Sequence, residues 1–66
     1  MESPEREIAA LEVEATKIEA HATELFASVL KLTDPKQQQG VLKQSRDEAE
    51  KAAGIRRRIR RLRDHL

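Results

Sequence analysis

Leu32-Thr33-Asp34-Pro35-Lys36-Gln37 is the stretch on which the fold turns. Asp34 before Pro35 reads as a helix N-cap followed by proline at the first helical position, and Gln37 stands at the third, which is capping-box spacing. Proline also disfavours helical dihedrals in the residue before it, so a preceding helix stops near Leu32 or Thr33. The same punctuation occurs at Ser3-Pro4, with Glu5 and Glu7 near the positive end of the helix it would start. These two signals predict a helix over about 4–32, a turn at about 33–34 and a helix over about 35–65. At 1.5 Å per residue both would be about 45 Å long. Equal lengths and a very short connection imply an antiparallel hairpin.

Apolar spacing leads to the same fold. Ile8, Leu11, Ala15, Ile18, Ala22, Leu25, Val29 and Leu32 follow a 3-4 repeat over four heptads, a coiled-coil seam. Leu42, Ser45, Ala49, Ala52, Ile55, Ile59, Leu62 and Leu66 form a comparable stripe with one irregular step, between Ala52 and Ile55. With the reversal at Thr33-Asp34, residue i faces residue 67 − i. Ile8 then meets Ile59, Ala15 meets Ala52, Ile18 meets Ala49, Ala22 meets Ser45, and Leu25 meets Leu42. The fold class expected is all-α, an antiparallel two-helix hairpin of coiled-coil type, associating into a four-helix bundle. Gly40 leaves a second possibility, that 34–40 is loop and the helix begins at Val41. Gly54, beside the irregular step, marks a bend or a close contact on this reading.

Composition bounds the rest. The chain has 66 residues, with 38% charged and 38% hydrophobic, one aromatic (Phe26) and no cysteine. Sixteen side chains are large and apolar and nine more are alanine. That is helix-forming material for one small domain spanning 1–66, whose core is barely sufficient alone and has no disulfide or thiolate metal site to reinforce it. No apolar run approaches the roughly 18 residues of a membrane span, and the start of the chain lacks a basic-then-apolar leader pattern. No membrane association and a cytoplasmic location are expected.

No catalytic constellation stands out, so an enzyme is not expected, nor any cofactor. His21 and His65 fall at different heights of the hairpin. Glu14, Lys17, His21 and Glu24 share a helical face, but one histidine at ordinary helix spacing reads as solvated surface rather than a metal site. Ser3, Ser28 and Ser45 have no base placed to activate them. A chain this short does not build a water-excluding pocket alone.

Two surface features are left over. The first segment carries a second 3-4 stripe, Ala9, Val13, Thr16, Ala20, Thr23, Ala27 and Leu30, roughly opposite the seam, and Phe26 flanks the seam. A helix with two apolar faces has neighbours on both sides. Alanine and threonine also serve as plain surface residues, whereas Val13, Phe26 and Leu30 do not. Val13, Ala20, Phe26, Ala27 and Leu30 are therefore the candidate protein-binding residues, for a homo-oligomer (a dimer first) or a helical partner protein.

The second feature is charge asymmetry. Residues 1–33 carry seven acids and three bases, and residues 34–66 five acids and ten bases, six of them arginines between Arg56 and Arg63. The arginines either face Glu5, Glu7, Glu12 and Glu14 across the hairpin, or lie against phosphates, or meet an acidic protein. Arg57, Arg58 and Arg61 are expected to point away from the seam and are the candidates for an anionic partner. The function expected is a non-enzymatic protein–protein interaction module, an adaptor, regulator or small chaperone. The alternative is a nucleic-acid-binding hairpin dimer that uses the arginine-rich helix.

Asp34-Pro35-Lys36-Gln37-Gln38-Gln39, followed by Lys43-Gln44-Ser45-Arg46-Asp47-Glu48-Ala49-Glu50-Lys51-Ala52, resembles the small E-type co-chaperones of type III secretion (YscE/PscE-like helical hairpins). The likeness covers about 20 of the 66 residues and centres on a D-x-x-Q-x-Q pattern. It implies a hairpin whose partner is a chaperone built of helical repeats, the pair keeping a needle subunit unpolymerised. The tyrosine typical between those glutamines is missing, and the arginine-rich end departs from the family's more apolar one.

Overall fold

A computed structural model describes residues 3–66, and the described residues form two helices, α1 (Pro4–Val29) and α2 (Pro35–Asp64), packed side by side. The result is a rod of 50 × 15 × 14 Å, the dimensions of a two-helix hairpin. Each helix starts where its cap residue dictates. Ser3 is extended (φ −77°, ψ 144°) and its Oγ accepts from the Arg6 N–H at 3.2 Å. Asp34 is likewise extended (φ −85°, ψ 119°), and its Oδ1 accepts from the Lys36 N–H at 3.0 Å. Each side chain satisfies a donor that the first helical turn leaves unpaired, and proline follows where no N–H is needed. The helix therefore begins at Pro35, and the loop over 34–40 that Gly40 left open does not form.

The first helix ends sooner than the proline rule alone implies, at Val29 instead of 32. Leu30, Lys31 and Leu32 donate to Ala27, Ser28 and Val29 respectively, three residues back, so the last turn tightens before the chain leaves. The reversal needs those residues, because Asp34 must already be extended to cap the second helix. Gln38 closes the turn by donating from Nε2 to the Leu32 carbonyl at 2.6 Å. This link comes one residue after the capping-box position at Gln37.

The core is thin. Among the described residues Ile8, Ala15, Ala22, Ala52 and Ile59 are the buried side chains, with Ala15 at 0% and Ala52 at 1% exposure. All eight positions of the first stripe are buried or half-buried. The second stripe needs correction. Ala49 is exposed, and Glu48 is the half-buried residue at that level. With Glu48 in place, Val41, Ser45, Glu48, Ala52, Ile55, Ile59 and Leu62 run in an unbroken 3-4 repeat, so the irregular step vanishes. Leu66 also leaves the stripe, lying past the helix end at 64% exposure.

The register is recorded directly by Ser45, whose Oγ donates to the Ala22 carbonyl at 2.9 Å. Their numbers sum to 67. Neither glycine marks a close contact. A Cβ at Gly40 would meet nothing within 4 Å, and one at Gly54 only the end of the Arg57 side chain at 3.7 Å.

Candidate functional site

The second stripe of α1 is left uncovered. Ala9, Val13, Thr16, Ala20, Thr23, Ala27 and Leu30 are all exposed, because α2 occupies only the seam side. Val13 is 55% exposed, Phe26 57% and Leu30 83%, high values for large apolar side chains in so small a structure. Thr23 donates its hydroxyl hydrogen to the Glu19 carbonyl at 3.0 Å, which satisfies that polar group within the helix and suits the residue to an apolar face.

Phe26 stands apart from this stripe, at the edge of a shallow open groove between the helices. The groove is lined by Glu19, Ala22, Thr23 and Phe26 from α1 and by Ser45, Ala49 and Ala53 from α2. Ala49 and Ala53 thus widen the apolar surface. Sequence reasoning assigned Ala49 to the seam and passed over Ala53. The available signal was their i, i+4 spacing one step off the true seam, masked by Glu48 in the seam itself.

The arginines divide into two sets. Arg56 clamps Glu19 through two bonds, Nη2 to Oε1 at 2.7 Å and Nε to Oε2 at 3.2 Å. That hydrogen bonding, outweighing desolvation and helped by the guanidinium charge, holds the Glu19 carboxyl below its ordinary 4.5. Arg63 pairs with Glu12 through one contact, Nη2 to Oε1, and Arg58 donates from Nη2 to Glu7 Oε1 at 3.0 Å. Arg58 therefore does not stand clear of the seam as expected. Glu7, Glu12 and Glu19 are the acids used, while Glu5 and Glu14 take no part in these pairs among the described residues.

Arg57, Arg60 and Arg61 form the other set. Among the described residues none has a carboxylate within 4.0 Å, and together they line an open hollow on the outer side of α2. Two of them were expected to point outward, and Arg60 joins them in place of Arg58. On the opposite flank from the Phe26 groove, His21 Nδ1 lies 3.8 Å from Glu48 Oε2, and Lys51 lies 3.7 Å from Glu48 Oε1. His21 thus associates with α2 rather than with Glu14 and Glu24 of its own helix.

No protein-family model, curated protein or solved structure matches this chain. Its surface is therefore the guide to what it does. The two flanks of the hairpin differ in kind: one presents Phe26, Thr23, Ala49 and Ala53, the other His21, Gln44, Asp47, Glu48 and Lys51. Among the described residues no helix is long and apolar enough to cross a membrane.

Proposed function

We propose that this protein is a protein–protein interaction module, an adaptor, regulator or small chaperone, whose uncovered α1 face docks against helices. The observation that carries this is the exposure of Val13 and Leu30 on that face, with Phe26 exposed at the groove beside it, on a hairpin with five buried side chains among the described residues. Two helices of this size bury little apolar surface, and covering a second face is the available route to more. Docking produces a four-helix bundle when the occupant is itself a hairpin. The resemblance to type III secretion co-chaperones is one specific form of this role, with a helical-repeat chaperone as occupant.

The test uses the full chain and its Val13→Glu/Leu30→Glu variant, which changes two exposed positions. Both should be equally helical by circular dichroism. The wild type should exceed monomer mass in solution, or retain a protein from its native cells that the variant loses. If the wild type is monomeric and retains nothing that the variant does not, the reading is wrong.

A second reading has its own support in the set Arg57, Arg60 and Arg61, three guanidiniums that have no carboxylate within 4.0 Å among the described residues. Phosphate groups of nucleic acid would be their chemical match. Binding should then fall steeply with salt and weaken when the three become glutamine. No binding to duplex or single-stranded nucleic acid at low salt removes this reading.

A further inference from the structure

The middle of the uncovered face of α1, Thr16, Ala20 and Thr23, reads the same in both directions. The seven exposed positions of the face run Ala9, Val13, Thr16, Ala20, Thr23, Ala27, Leu30. Set against itself in the antiparallel sense with Ala20 on Ala20, the stripe brings Thr16 to Thr23, Val13 to Ala27 and Leu30 to Ala9. Each large side chain meets an alanine, and the smallest layer lies in the middle, where backbones have to approach most closely. A two-fold axis repeats every such contact, which is the defining property of an isologous interface.

Charge beside the stripe agrees with this sense of pairing. Lys17 and Glu24 each follow a stripe threonine by one residue, so they share one flank. In an antiparallel pair of helices like flanks meet, and Lys17 of one copy comes beside Glu24 of the other, twice over. Among the described residues neither has an ionic partner within 4.0 Å in its own chain. On the other flank the two Glu19 carboxylates approach the axis, and each is already neutralised by its own Arg56 at 2.7 Å. A parallel arrangement would instead set Lys17 and Glu24 of one copy beside Glu12 and Glu19 of the other, which already have Arg63 and Arg56 as partners, and it would stack Leu30 on Leu30 and Val13 on Val13. Flanking charges decide orientation in paired helices, and here they favour the antiparallel one.

We propose that the occupant of this face is a second copy of the chain, packed antiparallel through α1 about a two-fold axis at Ala20. The inference rests on reading the α1 face as a binding surface, and it names the partner. In the resulting four-helix bundle the two α1 helices are central, and both arginine-rich α2 helices remain on the outside.

A charge-exchange experiment tests it, with mass read by sedimentation at micromolar to millimolar concentration. The wild type should be a dimer of 7.5 kDa chains. The single variants Lys17→Glu and Glu24→Lys each set like charges at both crossings, and each should dimerise about tenfold more weakly or worse. Mixed in equal amounts they regain both opposite-charge crossings, so the mixture should recover wild-type affinity as a heterodimer. A monomeric wild type overturns the second copy as occupant, leaving a foreign partner to the capture test above. A dimeric wild type whose variants neither weaken nor rescue one another overturns this face and register, while the protein still associates.

Discussion

Ser45 on α2 donates its hydroxyl to the main-chain carbonyl of Ala22 on α1, 2.9 Å away. A side chain as short as serine reaches an opposing backbone only where two helices lie close. The next alanine layer, one step beyond Ile18 and Glu48, helps explain why they do, since Ala15 and Ala52 bring no bulk to the interface and are essentially unexposed. The larger residues flank these layers: Ile8 with Ile59 toward the open end, and Leu25, Val29, Val41 and Leu42 toward the turn. The centre of the hairpin is therefore fixed by small residues and by one hydrogen bond that records the register.

Enlarging the small layer should separate the helices. Ala15→Leu inserts three carbons where exposure is 0%, and the expected loss is about 1–3 kcal/mol. Urea unfolding followed by circular dichroism measures it. Ala20→Leu, on the exposed side of the same helix, should leave the hairpin's own stability within about 0.5 kcal/mol.

Glu48 occupies a seam position, and its contacts to His21 and Lys51, at 3.8 and 3.7 Å, are exposed pairs that contribute little. Glu48→Leu should extend the apolar seam opposite Ile18 and raise stability by roughly 1 kcal/mol, the effect of partly burying a leucine. A urea midpoint that falls instead would show that the glutamate stabilises the interface.

Both glycines sit inside α2 with no positive φ. Gly40→Ala and Gly54→Ala should each stabilise the hairpin by about 0.5–1 kcal/mol, since alanine restricts the unfolded chain and has space here. Thermal unfolding of the two variants and their combination is the check, and the two effects should add.

The Glu19–Arg56 clamp gives a pH dependence with a definite sign. Hydrogen bonding from Arg56 lowers the Glu19 pKa on folding. The contribution is therefore complete above the ordinary value of 4.5 and disappears as pH falls through the lower folded value. NMR titration of the Glu19 side chain should show a midpoint below 4.5, returning toward it in Arg56→Gln. An unchanged midpoint in that variant would contradict the assignment.

Much of the fold was legible because helix caps and apolar periodicity act locally. Ser3, Asp34 and both prolines mark the starts of α1 and α2, and the first stripe needs only a count of three and four. The end of α1 was not legible to that precision. How many residues a reversal needs depends on the approach of the two helices, which no single segment encodes. Glu48 is illegible for a related reason: a charged residue in a seam is invisible to a rule that looks for apolar ones, and that rule selects Ala49 instead. Of the candidate surface, Val13, Ala20, Ala27 and Leu30 follow from geometry once the seam is known. The division of the arginines does not, because which guanidinium meets Glu7, Glu12 or Glu19 depends on side-chain reach across the hairpin. Leu66 was placed in the stripe, but its facing position is residue 1, outside the described residues.

The most direct test of the α1-to-α1 dimer is the mass of the chain in solution, measured for the wild type and for Val13→Glu/Leu30→Glu. The wild type should have twice 7.5 kDa and the variant 7.5 kDa with helicity retained. A wild type that stays at 7.5 kDa at every concentration, or a variant that dimerises as well as the wild type, would contradict it.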